Sequence, residues 1–139
     1  MESSRPVTVH LDTSVLVDAL SGRRNSLPHL ERTIAAGHVL GTSTLVLYEW
    51  LRGPRTEDEL ADQEAVLPAA AAREFGPAEA ARAARMYRSL KRARGRDMDI
   101  AIAACAIEHR ARFWTLNPDD FVDLPGLELY DPGRATRRP

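Results

Sequence analysis

Apolar and polar positions alternate at the start of the chain. Val7-Thr8-Val9-His10-Leu11 is rich in β-branched residues and predicts a strand. Asp12-Thr13-Ser14 follows, and then Val15, Leu16, Ala19 and Leu20 recur at helical spacing, with Thr13 or Ser14 as the expected N-cap. Asp12 therefore falls at a strand-to-helix turn. Pro28 opens a second helix to Ala36, where Gly37 is the stop signal. Val39-Leu40 is a short strand, and Thr42-Ser43 caps a helix over Thr44 to Arg52 that Gly53-Pro54 ends. Thr56, three residues before Glu59, reads as a capping box opening a helix to Val66. Residues 67–76 fit either a weak strand or a helix extension. Pro77 opens an Ala/Arg-rich helix to about Ala93, and Gly95 marks its end. A further helix starts at Asp97 or Met98 and runs to about Arg110; it is apolar nearly all round, which predicts burial. Ala111 to Leu116 reads as a buried strand, Asn117-Pro118 as a forced turn, and Leu127 to Tyr130 as a last strand. Residues 131–139 form a Pro/Gly/Arg tail expected to fray.

Strands alternating with helices predict an α/β fold with a mainly parallel central sheet flanked by helices. Neither a repeat nor a composition break divides the chain, so residues 1–139 read as a single domain with a core of about 7–130. Ligands of such sheets bind beyond the carboxyl ends of the strands. Asp12 and the segment Asn117 to Asp120 both lie there.

Four carboxylates stand out by position. Asp12 follows the first strand, and Glu49 lies within an apolar helix. Asp99 begins the most apolar helix, and Asp120 follows the strand end at Thr115-Leu116-Asn117. Each has an ordinary reading. Asp12 suits a helix cap, Glu49 a solvated face, Asp97 and Asp99 a helix dipole, and Asp120 a turn. Together they imply more. Asp99 shares a helix face with Ile102, Ala103 and Ala106, and a carboxylate on a buried face needs a partner. Several carboxylates at one rim repel and raise one another's pKa. A divalent cation resolves both problems, and hard oxygen donors favour Mg²⁺ or Mn²⁺ over Zn²⁺. Such a site suits phosphoryl chemistry, in which water attacks phosphorus in line.

Composition narrows the rest. The chain has 139 residues, 44% hydrophobic and 28% charged, the mix of an ordinary globular domain. The run Ile100 to Ile107 is far short of a membrane span, and no signal-peptide pattern opens the chain, so a cytoplasmic protein without membrane contact is expected. The single Cys105 excludes an intrachain disulfide and a Cys-rich zinc site, and reads as a small core residue. His10, His29, His38 and His109 show no ligand spacing. Net charge is −1, from 19 basic and 20 acidic residues, so nucleic-acid binding requires a local basic patch.

One cluster qualifies: Arg82, Arg85, Arg88, Lys91, Arg92, Arg94 and Arg96. Arg82, Arg85, Arg88 and Lys91 or Arg92 fall in a helical stripe, which reads equally as a solvated face or as a phosphate track. Arg23 and Arg24 could flank the same rim. Tyr87, Trp50 and Trp114 could stack on bases, though the apolar settings of Trp50 and Trp114 favour core packing. The helix from Thr56 to Val66, with Leu30 and Ile34, is a candidate contact surface for a partner or a second copy.

The acidic positions also carry a family resemblance. Val9-His10-Leu11-Asp12-Thr13-Ser14-Val15-Leu16 resembles the first strand and turn of PIN-domain proteins. Tyr48-Glu49-Trp50-Leu51-Arg52-Gly53 resembles their second acidic block. Asp99-Ile-Ala-Ile-Ala-Ala-Cys-Ala-Ile-Glu-His109 resembles the third. Thr115-Leu116-Asn117-Pro118-Asp119-Asp120-Phe121, followed by Pro-Gly-Leu, resembles the fourth. The blocks occur in family order over residues 7–130, and the size resembles VapC-type toxins of toxin–antitoxin pairs. The resemblance implies a Mg²⁺- or Mn²⁺-dependent endoribonuclease acting on structured RNA such as tRNA or rRNA. It further implies a homodimer and a cognate antitoxin protein. Asp12, Glu49, Asp99 and Asp120 would ligate the metal, directly or through water, with Ser14, Thr115 and Asn117 as supporting groups. A DNA nuclease, another metal-dependent phosphohydrolase and a non-catalytic RNA-binding module are the competing readings.

Overall fold

Three strands, β1 (Thr8–Leu11), β2 (Val39–Gly41) and β3 (Arg112–Trp114), pair in parallel in the order β2–β1–β3 in the computed structural model, which describes residues 5–133. Parallel neighbours need crossover connections, and helices supply them. α1 (Thr13–Leu20) and α2 (Leu27–Ala35) lead from β1 to β2. α3 (Thr44–Arg52), α4 (Glu57–Val66), α5 (Pro77–Ser89) and α6 (Asp97–Glu108) lead from β2 to β3. Among the described residues, no helix is long and apolar enough to cross a membrane.

The central strand and the most apolar helix build the core. Val9 and Leu11 of β1 are fully buried, as are Phe113 and Trp114 of β3 within a few percent. α6 buries Ile100, Ile102, Ala103, Ala104, Cys105 and Ala106; its alanines let the helix approach its neighbours closely. α5 packs along α6. Trp50 and Trp114 lie in the core, as their apolar settings predict. The Cys105 thiol is buried and pushed up to about 12, which leaves it protonated and inert.

Several boundaries differ from the sequence reading, each for a local reason. The N-cap of α1 is Asp12 rather than Thr13 or Ser14: its carboxylate accepts from the Thr13 amide at 2.9 Å. α5 stops at Ser89 instead of Ala93. Ser89 Oγ donates to the Met86 carbonyl at 2.9 Å, and Leu90 turns extended to pack on the core. Lys91 and Arg92 therefore lie beyond the helix. Residues 67–76 are neither strand nor helix extension. They hold a 3-10 turn, Ala69–Ala71, and a bridge in which the Arg73 amide donates to the Thr42 carbonyl at 2.9 Å. The expected last strand reduces to one bridge, Phe113 with Leu129, because only Phe113 supplies hydrogen bonds to it. Leu30 is buried and so is no contact surface, whereas Ile34 is 46% exposed. The capping box is present: the Glu59 amide donates to Thr56 Oγ1 at 3.1 Å and the Thr56 amide to Glu59 Oε1 at 2.9 Å. Of the expected tail, residues 134–139 lie outside the described residues. Within it, the Gly133 amide donates to Asp131 Oδ1 at 3.0 Å.

His10 sits mid-sheet, 3% exposed, against Gly41 and 6.1 Å from the His109 ring. Burial, then His109 and Arg73, lower its pKa to about 4. Unfolding restores the ordinary value of 6.5, so the unfolded chain binds the extra proton between those values. The contribution from keeping His10 neutral is complete above pH 6.5 and is lost as pH falls toward 4. On the order of 3 kcal/mol is at stake. Urea titrations at pH 7 and pH 4.5 should show this loss, and a folded His10→Leu variant should lack it.

Candidate active site

The strand register brings the site together. Leu11 of β1 partners Trp114 of β3, so the next residues, Asp12 and Thr115, emerge side by side at the carboxyl ends of the sheet. The Asp12 amide extends the ladder by donating to the Trp114 carbonyl at 2.9 Å. Asp12 is 6% exposed and accepts three hydrogen bonds. Thr13 N reaches Oδ1 at 2.9 Å, while Thr115 Oγ1 and Ser14 Oγ reach Oδ2 at 2.7 and 3.1 Å. The same hydroxyls also accept: the Leu116 amide donates to Ser14 Oγ and the Asn117 amide to Thr115 Oγ1, both at 3.0 Å. Two of the three supporting residues expected from the sequence, Ser14 and Thr115, thus fix Asp12. Asn117 joins through its main chain only.

Glu49 faces the start of α1 from α3. Its Oε1 accepts from Thr13 Oγ1 at 2.6 Å, and its Oε2 lies 4.0 Å from an Arg52 guanidinium nitrogen. Local pattern marks Thr13 only as a cap, yet it orients the second carboxylate. Its position directly after Asp12 was the available signal, but the partner lies on an element 36 residues away.

Asp99 and Asp120 differ from the first two. Among the described residues, no hydrogen bond reaches either carboxylate. Asp99 is half-buried at the start of α6, and its pKa is raised first by burial, then by Asp12, Asp120 and Glu49. Arg96 pulls it partly back. Asp12 is likewise raised, by burial foremost and by Glu49, against its three hydrogen bonds. The four positions therefore share one electrostatic field. Asp97 instead lines a groove with Phe75, Tyr87 and Arg88, and Asp119 is exposed on the turn Pro118–Asp120.

The donors are all hard oxygens. Among the described residues, no three histidine, cysteine or carboxylate side chains converge into a ready-made metal cage. Hard-oxygen donors of this kind match the ligand preference of a cation that keeps several waters, as Mg²⁺ does. Half-buried Asp99, repelled by three carboxylates and lacking a donor, fits the same role.

A PIN-domain family profile matches residues 9–127, and those residues contain all four acidic positions. The chain belongs to the PIN domain family. Comparison with curated proteins gives no match. This PIN domain is similar to solved toxin–antitoxin structures. One is VapBC2 from Rickettsia felis bound to a promoter DNA fragment: TM-score 0.71 and 21% identity, covering 88% of this chain and 97% of that one. Another is DNA-bound VapBC from Salmonella typhimurium, with TM-score 0.73, 19% identity and coverage of 91% and 98%. A third is VapBC-5 from Mycobacterium tuberculosis, with TM-score 0.57, 26% identity and coverage of 88% and 94%.

The basic stripe of this PIN domain is partly committed elsewhere. Arg82 is half-buried, and its Nε bonds to Glu108 Oε2 on α6, so it ties α5 to α6. Arg85 and Arg88 are exposed on α5, and Lys91, Arg92 and Arg94 are exposed beyond it. Tyr87 is 40% exposed beside Arg88. Arg96 turns toward Asp120 and Asp123. Arg23 and Arg24 are exposed in the loop after α1.

Proposed function

We propose that the chain is the endoribonuclease toxin of a toxin–antitoxin pair, hydrolysing phosphodiester bonds in tRNA or rRNA in the cytoplasm. The observation that carries this reading is the Asp99 carboxylate, half-buried, without a hydrogen bond, and facing the charges of Asp12, Asp120 and Glu49. Asp12, Glu49, Asp99 and Asp120 would hold Mg²⁺ or Mn²⁺, some of them through water. The cation would neutralise charge developing on the phosphoryl oxygens and lower the pKa of nearby water.

The protein's own groups do the positioning. Thr115, Ser14 and the Thr13 amide hold Asp12 in one orientation, and Thr13 Oγ1 holds Glu49. Asp99 and Asp120 keep their lone pairs free. Water would supply the attacking oxygen for hydrolysis, and the buried, protonated thiol of Cys105 takes no part. Exposed Arg85 and Arg88, with Arg92 and the loop residues Arg23 and Arg24, supply positive charge to hold the RNA backbone that the carboxylates repel. Arg82 contributes less than the sequence suggests, because Glu108 neutralises it. Membership of the PIN family and similarity to VapBC complexes support a cognate antitoxin. In this reading the antitoxin covers the acidic rim and the toxin pairs as a homodimer.

The test is cleavage of total cellular RNA by purified, antitoxin-free protein with Mn²⁺, with Mg²⁺ and with EDTA. Discrete fragments with either cation and none with EDTA are expected. Intact RNA under every condition, from protein shown to be folded, would rule the activity out and favour a DNA substrate or a binding module.

A further inference from the structure

Arg96 lies outside the four acidic blocks, yet it grips the backbone of one acidic residue and neighbours another. It immediately precedes α6, so its main chain leads into Asp97 and Asp99. Its guanidinium meets Asp123 as a two-pronged pair, Nη1 to Oδ2 at 3.0 Å and Nη2 to Oδ1 at 2.7 Å. Nη2 also donates to the Asp120 carbonyl at 2.9 Å, and Nη1 to the Arg92 carbonyl at 2.7 Å. The Arg96 side chain is only 21% exposed. A planar fork with these acceptors fixes angle as well as distance, which a lysine ammonium does not.

The segment that carries Asp120 has few other polar ties. Pro118–Asp120 is one 3-10 turn, closed by the Asp120 amide on the Asn117 carbonyl at 3.0 Å. Phe121 and Leu124 anchor it from below by burial. Arg96 is the polar link from this segment to the start of the helix that carries Asp99.

We propose that Arg96 and Asp123 form a clamp that sets the position of the Asp120 carboxylate relative to Asp99, and so sets the affinity of the site for a divalent cation. The proposal rests on the reading of the four acids as a cation site. Arg96 is a positioning residue: both its terminal nitrogens are engaged by Asp123 and two main-chain carbonyls. The opposite role is available to the same group. A guanidinium near Asp99 and Asp120 repels a cation simply by its charge. The two roles differ in sign. Removing a repelling charge tightens cation binding, whereas releasing the Asp120 segment weakens it.

The experiment is Mn²⁺ binding to the full, metal-free chain, followed by electron paramagnetic resonance of free Mn²⁺. Arg96→Gln, Arg96→Lys and Asp123→Asn are compared with the parent, alongside melting curves in EDTA. All three variants should bind Mn²⁺ about tenfold more weakly or worse, the usual size for groups that orient metal ligands. Their EDTA melting temperatures should stay within a few degrees of the parent. Asp123→Asn keeps the arginine charge and alters a side chain that is 50% exposed, so it serves if the Arg96 variants fail to fold. Unchanged or tighter Mn²⁺ binding in Asp123→Asn overturns the clamp alone. A folded parent that binds no Mn²⁺ overturns the cation reading, and the clamp with it.

Discussion

Asp99→Asn is expected to lower RNA cleavage by about a thousandfold or more while leaving the metal-free fold at least as stable as the parent. The activity loss follows from removing a formal charge where transition-state charge must be balanced; about 4 kcal/mol corresponds to a thousandfold. The stability effect has the opposite sign, and its pH window can be worked out. Burial and three neighbouring carboxylates raise the Asp99 pKa above the ordinary 3.8. The folded chain then holds a proton that the unfolded chain releases, so stability falls as pH rises from 3.8 through the raised value. At neutral pH the ionised carboxylate is a cost, and an uncharged isostere removes it. No hydrogen bond to Asp99 is lost in the exchange. The metal-free variant should therefore melt at the same temperature or a few degrees higher at pH 7, with no such gain near pH 3. Added Mn²⁺ should raise the parent's melting temperature by linkage and leave the variant's unchanged. Cleavage assays and melting curves with and without Mn²⁺ check each part. Full cleavage by the variant would remove Asp99 from the site.

Trp50→Ala should destabilise the domain by roughly 3–5 kcal/mol, or on the order of 10–20 °C in melting temperature. Trp50 is fully buried in the last turn of α3, one residue after Glu49. The Arg55 guanidinium lies 4.0 Å from its ring centroid, and Arg55 Nε donates to the Trp50 carbonyl at 2.8 Å. Truncation leaves a large cavity and removes the surface on which Arg55 stacks. A loss of that size is a large part of the 5–15 kcal/mol typical of a domain. Trp50→Phe retains a ring and removes the indole N–H, which is buried without a partner. It should cost markedly less. Chemical denaturation of the three proteins separates these outcomes, and a loss below about 1 kcal/mol in Trp50→Ala would show that α3 repacks freely.

The two variants mark different parts of the molecule. Asp99, in the proposed reading, serves the chemistry at some expense to the fold. Trp50 secures the helix from which Glu49 faces Thr13. Asp12 belongs to both parts. It closes the sheet ladder, caps α1 and accepts from two hydroxyls, while its own pKa is raised by burial.

Hydrophobic period and turn chemistry placed most elements correctly from local pattern. Val7 to Leu11, the Ser43 cap, the Thr56–Glu59 box and the apolar run from Ile100 are signals contained within a few residues. The four acidic blocks were legible for the same reason: each is a short motif at an element end. Boundaries were less legible where a nonlocal contact decides them. α5 continues by pattern to Ala93, but Leu90 leaves the helix to reach the core. Leu127 to Tyr130 has strand composition, but only Phe113 offers it hydrogen bonds.

The sequence by itself determined the α/β class, the order of elements, the family and the acidic positions, because each is written in short-range pattern. Tertiary structure alone decided which groups act on which. The register of β1 against β3 sets Asp12 beside Thr115 across 103 residues, and Thr13 meets Glu49 across 36. The same packing divides the arginine stripe: Arg82 goes to Glu108, Arg96 goes to Asp123 and the Asp120 backbone, and Arg85 and Arg88 stay in solvent. Charge along a helix is a local property, but its neutralisation depends on which element packs against it.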